Sequence, residues 1–413
     1  MSQRGTAGAA DGMTVTGATT EFEPDVMDLF VETLRRAARR ELPVVGTDTL
    51  LGELVMGDTD AGAAITPGVR KAGSLSGLIT GRAGRGWVSE DEAPGAPVGA
   101  GTGAEADQVA DGREVDAAWC EARWRVGLGA RGSAADGGGV LSGMSGALRA
   151  CLLLALRSAR AEGTVSVRCR HVARALLDLP DSRAREALLL QRLDVAAASS
   201  VLDRLDASAP AETEGPESRG VTLLRRAGTV GRSGNRLTRA LTSWTSGSTE
   251  NGSPVLFAVS VEAMRQAVRC GRAEVEPVDL LLGTLALDRA LHVAGRSLPG
   301  SLEDANSAAA LLRRHGVRQV SLVSSASAEP SAAVPADGVR RSAAAERAVS
   351  MARLSAAEHG SPTVGTVHLL SALLDAPAAD ADAGAGGAVV ALLAADRVDV
   401  AALRAELSLR QGA

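Results

Sequence analysis

The hydrophobic positions along the chain follow one pattern that recurs four times. Each copy contains an amphipathic helix, a short turn that includes Val, a second helix that carries paired Leu-type positions, and then a further apolar helix. The apolar residues of the first helix of the last copy are spaced i, i+3, i+4, i+7, which is typical of a buried helical face; they are Ala345, Ala348, Val349, Ala352 and Ala356. The pattern predicts an all-α fold.

The turn of the last copy reads "HGSPTVGT" and separates the two helices. Gly360 can take a positive φ and Pro362 cannot continue a helix, so the first helix ends here. We expect Thr366 to be the N-cap of the second helix, its hydroxyl accepting from a free backbone N–H. A stripe of Leu follows and predicts a core face: Leu369, Leu370, Leu373 and Leu374.

The other three copies match this pattern to different degrees. The first, "FVETLRRAARRELPVVGTDTLLGELV", repeats it closely, with Thr47 as the expected cap. The second has Arg168 and Cys169 where Gly and Thr stand, so its cap is degraded. The third keeps Val275 and starts its second helix with Pro277, a residue suited to the first helical position.

Stretches rich in Gly, Ala and Ser separate the copies, at roughly 80–140, 207–252 and 324–338. Such a composition buries too little surface to order itself, so these stretches are predicted to be flexible. The predicted organisation is a disordered N-terminus over 1–20, a first domain over 21–206 with 80–140 as an insertion, a linker over 207–252, and a second domain over 253–410 with 324–338 as its internal linker.

The four tryptophans lie in these stretches or at their edges, which is unusual for linkers; they are Trp87, Trp119, Trp124 and Trp244. Two interpretations are open. The tryptophans either dock locally onto the helical domains or bind a partner.

Composition and charge narrow the class of protein. Apolar residues make up 45% of the chain, but aromatics only 2%, with no Tyr, which favours helices over strands. The net charge is −5 and the Arg residues are scattered, so nucleic acid is not an expected partner. Four cysteines form no CxxC pair, and no apolar run is long enough for a signal peptide or a membrane span. We therefore expect a cytoplasmic protein.

Three stretches together resemble the Clp N-terminal repeat, the domain that precedes the ATPase rings of Clp-type AAA+ unfoldases. They are "VGTVHLLSALLD" (364–375), "DVAALRAEL" (399–407) and "VGTDTLLGELV" (45–55). In that family two repeats pack pseudo-symmetrically into one helical domain, so the resemblance implies two such domains here. It also implies a non-catalytic protein-binding module, acting as adaptor, substrate receptor or ligand competitor in Clp-dependent proteolysis, with a Clp unfoldase or its substrates as partner.

The resemblance also implies a candidate site. Members of the family bind chains marked by phosphoarginine, and an acidic residue of a Gly-Thr-Glu-His motif meets the guanidinium. Here the acidic position is occupied by Asp48, Arg170, Val278 and Val367 in the four copies. Only Asp48 can offer a planar guanidinium a bidentate acceptor, so Thr47 and Asp48 are the candidate peptide or phosphoarginine site. The alternative is that Asp48 is a first-turn carboxylate that favours the helix dipole.

No convincing catalytic constellation is present. The only Lys, Lys71, lacks the GxxxxGK[ST] context of a phosphate loop, which excludes an ATP-driven unfoldase. Cys169 and His171 are two residues apart beside one helix start, where side chains point away from each other. His359 and His368 bracket the turn without further metal ligands. We expect no cofactor, no metal and no enzymatic activity. The other functional interpretation is a degenerate helical-repeat scaffold unrelated to Clp.

Overall fold

The protein is mostly helical, as predicted from the sequence. The computed structural model describes residues 21–82, 86–88, 104–130, 143–164, 166–208, 217–230, 253–317, 322–323, 326, 339–375 and 385–411. The predicted disorder of 1–20 lies outside these residues, and so does nearly all of the predicted linker over 324–338. Within the described residues, no helix is long and apolar enough to cross a bilayer.

The first half of the chain, residues 21–208, contains four two-residue strands and nine helices among the described residues. The strands are β1 (Glu21–Phe22), β2 (Val44–Val45), β3 (Gly143–Met144) and β4 (Ser166–Val167). The helices are α1 (Pro24–Arg39), α2 (Thr47–Met56), α3 (Asp60–Ile65), α4 (Val69–Arg82), α5 (Ala104–Ala130), α6 (Gly146–Ala161), α7 (Cys169–Asp178), α8 (Arg183–Leu190) and α9 (Val195–Ser208).

The second half, residues 217–411, is also mostly helical among the described residues. Its described strands are β5 (Glu274–Val275) and β6 (Arg340–Arg341). Its described helices are α10 (Arg219–Arg226), α11 (Pro254–Arg269), α12 (Pro277–Val293), α13 (Gly300–Glu303), α14 (Ala308–Arg314), α15 (Ala343–Glu358), α16 (Thr366–Asp375), α17 (Ala385–Ala395) and α18 (Val400–Gln411). A short 3-10 turn, Asp304–Asn306, follows α13.

Local sequence explains where these helices begin and end. α1 and α12 each begin at a proline, Pro24 and Pro277, which occupies the first helical position as expected for Pro277. α15 ends before Gly360, whose φ is +62°. The predicted Leu stripes of α2 and α16 are buried.

The short strands pair in a reciprocal way in the first half. β1, which precedes α1, pairs in parallel with β4, which follows α6. β2, which follows α1, pairs in parallel with β3, which precedes α6. The segment around α1 and the segment around α6 therefore exchange equivalent contacts. In the second half β5, after α11, pairs in parallel with β6, before α15, which is the same arrangement as β2 with β3.

The buried side chains form two hydrophobic clusters. One extends from Phe22 to Leu202 and the other from Val221 to Leu407. The two halves also touch each other, because α5 packs against α11. Trp124 of α5 packs against the cluster of the second half.

The prediction that 80–140 is a flexible insertion is wrong for residues 104–130, which form α5. This helix packs on α1, where the rings of Trp119 and Phe30 lie 5.9 Å apart. The prediction of a linker over 207–252 is wrong for α10, where Val221 and Leu224 are buried. In both segments the overall content of Gly, Ala and Ser suggested a linker, although the apolar residues within it are spaced as one face of a helix. Trp119 is a core residue, so local docking is the correct interpretation for it; Trp244 lies outside the described residues.

Candidate peptide-binding site

Thr47 lies where two helix N-termini meet. The prediction that it caps α2 is wrong, because the N-cap is Gly46, in extended backbone, and Thr47 is the first helical residue. The Thr47 side chain is buried, and its Oγ1 accepts a hydrogen bond of 3.0 Å from the backbone N–H of Ala184. Ala184 is in the first turn of α8, whose N–H groups have no partner within their own helix. Thr47 therefore connects α2 to α8.

Thr366 has the same role in the second half. The prediction that it is an N-cap is also wrong, because α16 begins at Thr366 itself. Its Oγ1 accepts from the N–H of Ala308, in the first turn of α14, at 3.4 Å. Its own N–H donates to Oδ1 of Asn306 at 3.1 Å. In both halves, the threonine of the motif therefore accepts a hydrogen bond from the first turn of a neighbouring helix.

Gly365 explains why a Val-Gly-Thr turn precedes α16. A Cβ at this position would overlap the backbone carbonyl of Ala305 and lie 2.8 Å from the Ala305 side chain. Only glycine lets the chain approach that closely. The short turn before α14 can therefore lie directly against the start of α16.

Asp48 follows Thr47 in the first turn of α2 and is 3% exposed. The N-termini of α2 and α8 both carry partial positive charge, which favours a carboxylate here. This environment supports the alternative interpretation of Asp48 as a structural first-turn acid. A guanidinium from solvent reaches the carboxylate only if the side chains packed over it move.

The equivalent residues of the other three copies offer no carboxylate. Arg170 pairs with Glu162 at 2.9 Å. Val278 is half-buried and packs against the core of the second half. Val367 is buried in α16. Among the four copies, only Asp48 could therefore provide the carboxylate that a phosphoarginine site of this kind needs.

Three copies use the third helical residue as the reciprocal half of a capping box, in which a side chain accepts from the backbone N–H of the N-cap. The pairs are Arg168 N–H to His171 Nδ1 (2.9 Å), Glu276 N–H to Asp279 Oδ2 (2.9 Å) and Gly365 N–H to His368 Nδ1 (3.1 Å). Burial lowers the pKa of His368, and the nearby His359 lowers it further. His368 is therefore a neutral acceptor that starts α16.

The residues considered for catalysis make contacts within the fold. His171 accepts at Nδ1, so its Nε2 carries the proton and donates to Glu162 at 2.9 Å. Burial raises the pKa of Cys169, as does the neighbouring Asp25, so the thiol stays protonated. His359 bonds the backbone oxygen of Ser355. Over the part of the chain that the structure describes, no group of three His, Cys, Asp or Glu side chains could hold a metal ion.

The sequence predicts a further apolar helix in the second and third copies, but it does not predict where that helix starts or that its start contacts the threonine of the motif. One signal was present: Ser182 precedes α8 and its side chain accepts from the N–H of Arg185, so an N-cap could have been predicted there. The contact of Ala184 with Thr47 had no local signal. Comparison with protein-family models, with curated proteins and with solved structures finds no match to this chain.

Proposed function

We propose that the chain is a non-catalytic, cytoplasmic protein-binding module that acts as adaptor, substrate receptor or ligand competitor in Clp-dependent proteolysis. Its four copies of the helix-turn-helix pattern would form two pseudo-symmetric domains of the Clp N-terminal type. The partner would be a Clp-type unfoldase or one of its substrates.

The observation that carries this proposal is the matched pair of threonine contacts. Thr47 accepts from the first turn of α8, and Thr366 accepts from the first turn of α14. In the first half, a threonine of the first copy receives a helix that follows the second copy. In the second half, a threonine of the fourth copy receives a helix that follows the third. Such contacts between copies are what pseudo-symmetric pairing of two copies would produce.

The strand pairs support the same arrangement. The reciprocal pairing of β1 with β4 and of β2 with β3 is what an approximate two-fold relation between the two copies of the first half would produce. The β5–β6 pair repeats one of these contacts in the second half. A paired-repeat domain leaves its grooves between copies, where an extended peptide or an adaptor would bind.

Direct binding tests the proposal. The tagged chain is immobilised and exposed to a purified Clp unfoldase from its own source, with an unrelated helical protein of similar charge as control. We expect saturable binding of the unfoldase, or competition by the free chain for a substrate that the unfoldase captures. If neither is seen, while the chain captures other defined partners from native cytosol, the proposal is wrong.

A second test addresses Asp48. Phosphoarginine binding is measured by calorimetry for the natural chain, for Asp48→Ala and for Asp60→Ala. Asp60 is the matched control, a first-turn acid of α3 that is exposed. Loss of binding in Asp48→Ala alone supports a phosphoarginine site at Thr47 and Asp48. Equal binding by all three chains rules that site out without affecting the docking proposal.

The second candidate function is an interaction scaffold with no connection to Clp. This function is favoured because three copies lack the acidic residue of the motif. The residues that replace it, Arg170, Val278 and Val367, make contacts within this chain. Specific partners that include no Clp component would support it.

A further inference from the structure

α11 carries one buried and one half-buried arginine that contact the first half of the chain. Their side chains are 17% exposed for Arg265 and 4% exposed for Arg269. The element that covers them is α5, which belongs to the core of the first half. The two halves therefore meet over charged side chains.

Arg269 contacts two carboxylates of α5. Its guanidinium donates to Glu114 at 2.6 Å and to Glu121 at 3.0 Å. Glu114 and Glu121 are seven residues apart and so share one face of the helix. Both carboxylates are buried, with side-chain exposures of 6% and 1%.

Arg265 extends the same network to the N-terminal strand. It donates to Glu121 at 3.0 Å and to Glu21 of β1 at 2.9 Å. Arg289 of α12 also reaches Glu21, at 3.5 Å. We call these six side chains the interface ion cluster: Glu21, Glu114, Glu121, Arg265, Arg269 and Arg289.

The charges that meet across the interface are divided by sign between the halves, while Arg125 of α5 pairs with Glu121 within its own helix. The first half supplies all three carboxylates of the interface ion cluster and the second half all three of its guanidiniums. Arg265 and Arg269 each bind two acids of the first half, so a shift of either helix breaks more than one hydrogen bond. Such complementarity selects one orientation of the two surfaces. A charge whose partner is removed while the surfaces stay in contact is left buried and unpaired, which is strongly unfavourable.

Glu262 connects the network to the start of α10. It pairs with Arg265 at 3.4 Å, and its other oxygen accepts from the hydroxyl of Ser218 and from the N–H of Gly220. A Cβ at Gly220 would lie 2.8 Å from the Glu262 carboxylate, so glycine lets the start of α10 approach Glu262 closely. The chain that enters the second half is therefore held at the edge of the interface ion cluster.

We propose that the two halves act as one rigid body, because the acidic face formed by α5 and β1 is a specific docking surface for the arginine face of α11. The partner of each surface is the other half of the same chain. The halves remain bound to each other when the covalent connection between them is cut. This proposal is independent of the proposed function, since it concerns only how the halves are arranged.

The test uses the full chain with a site-specific protease sequence inserted between residues 209 and 216. After cleavage, sedimentation is measured in buffer of physiological ionic strength. We expect the two pieces to sediment as one particle of the size of the uncut chain. Two separate boundaries for the natural sequence would overturn the proposal.

A pair of variants shows whether the interface ion cluster is responsible. Arg269→Met keeps the apolar stem but removes the guanidinium, and we expect the association of the cut pieces to weaken about 100-fold or more. Arg313→Met is the control, because Arg313 pairs with Asp288 on the surface of the second half, where its side chain is 54% exposed. If the cut Arg269→Met chain stays together as firmly as the control, the proposal is wrong.

A second variant keeps the test decisive if Arg269→Met loses its helical circular dichroism. Glu121→Gln changes only the charge of a side chain on the other half and removes the carboxylate shared by Arg265 and Arg269. Its cut pieces are expected to separate at concentrations where the natural pieces are bound. Unchanged association in Glu121→Gln would also overturn the proposal.

Discussion

Gly365 is a position where the structure leaves no room for a side chain. Gly365→Ala would drive a Cβ into the carbonyl of Ala305, and a backbone atom cannot move aside as a flexible side chain can. We expect the free energy of unfolding to fall by about 3 kcal/mol. Urea denaturation followed by circular dichroism measures it.

Gly77→Ala is the matched control for this prediction. Gly77 is an exposed residue of α4, and no atom lies within 4 Å of the place that an alanine Cβ would occupy. Alanine has the higher helix propensity, so this change is expected to raise stability by about 1 kcal/mol. Equal effects of the two substitutions would show that α14 and α16 do not approach each other as described.

Thr47 makes a hydrogen bond to the start of a different helix. Thr47→Val keeps the shape of the side chain but leaves the buried N–H of Ala184 without this acceptor. We expect a loss of about 1 to 3 kcal/mol, measured by chemical denaturation. Thr33→Val is the control, since the Thr33 hydroxyl donates to the Leu29 carbonyl inside α1, and its removal is expected to cost less than about 0.5 kcal/mol. A control loss as large as that of Thr47→Val would contradict the role of Thr47.

These residue-scale contacts could be predicted only in part. The sequence indicated that Thr47 and Thr366 stand at helix starts, which is correct to one residue. It could not indicate that their hydroxyls face a different helix. A threonine at a helix start usually accepts from an N–H of its own helix. At Thr366 the close approach of the chain at Gly365 brings the N-terminus of another helix within reach instead.

At the scale of elements, α5 is the helix that was not predicted, because the composition of residues 80–140 as a whole is that of a linker. Its buried residues are spaced as a helical stripe: Val115, Ala118, Trp119, Ala122 and Val126. The surrounding Gly and Ala give 80–140 the composition of a flexible linker, although the helical period is present within it. Periodicity within 111–127 would have predicted the helix.

Trp119→Ala tests how firmly α5 is attached. The ring is 5% exposed and packs on Phe30, so its removal is expected to lower the free energy of unfolding by about 3 to 5 kcal/mol. Met351→Ala is the control, because Met351 is 53% exposed on α15 and its loss should change stability by less than about 0.5 kcal/mol. Thermal unfolding gives the comparison. A loss from Trp119→Ala no larger than that of the control would mean that α5 contributes little to the core.

For the whole molecule, the two glutamates that contact Arg269 are expected to respond differently to pH. Burial by itself would raise the pKa of Glu121, but Arg265, Arg269 and Arg125 outweigh it and lower the pKa to about 2. The ionised Glu121 therefore stabilises the fold above the unfolded pKa of 4.5, and this contribution is lost as the pH falls from there to about 2. Burial raises the pKa of Glu114, so its ionised form is disfavoured in the fold and its contribution decreases as the pH rises above 4.5.

Glu121→Gln and Glu114→Gln are thus a matched pair. At pH 7 we expect Glu121→Gln to cost roughly 3 kcal/mol and to flatten the loss of stability between about pH 4.5 and 2. Glu114→Gln should cost far less, since the amide oxygen still accepts from Arg269, which keeps Glu121 as a charged partner. Urea denaturation at a series of pH values measures both. A larger loss from Glu114→Gln would reverse the assignment of the two carboxylates.

The sequence by itself determined the helical segments and their buried faces, such as the Leu stripes of α2 and α16. Helical periodicity is local, so each segment carries its own signal within a few turns. Only the tertiary structure decided what those segments contact. Thr47 meets an N–H 137 residues away, and Arg269 meets a carboxylate 148 residues away. Contacts over such distances depend on the order in which helices pack, and no local pattern of residues encodes that order.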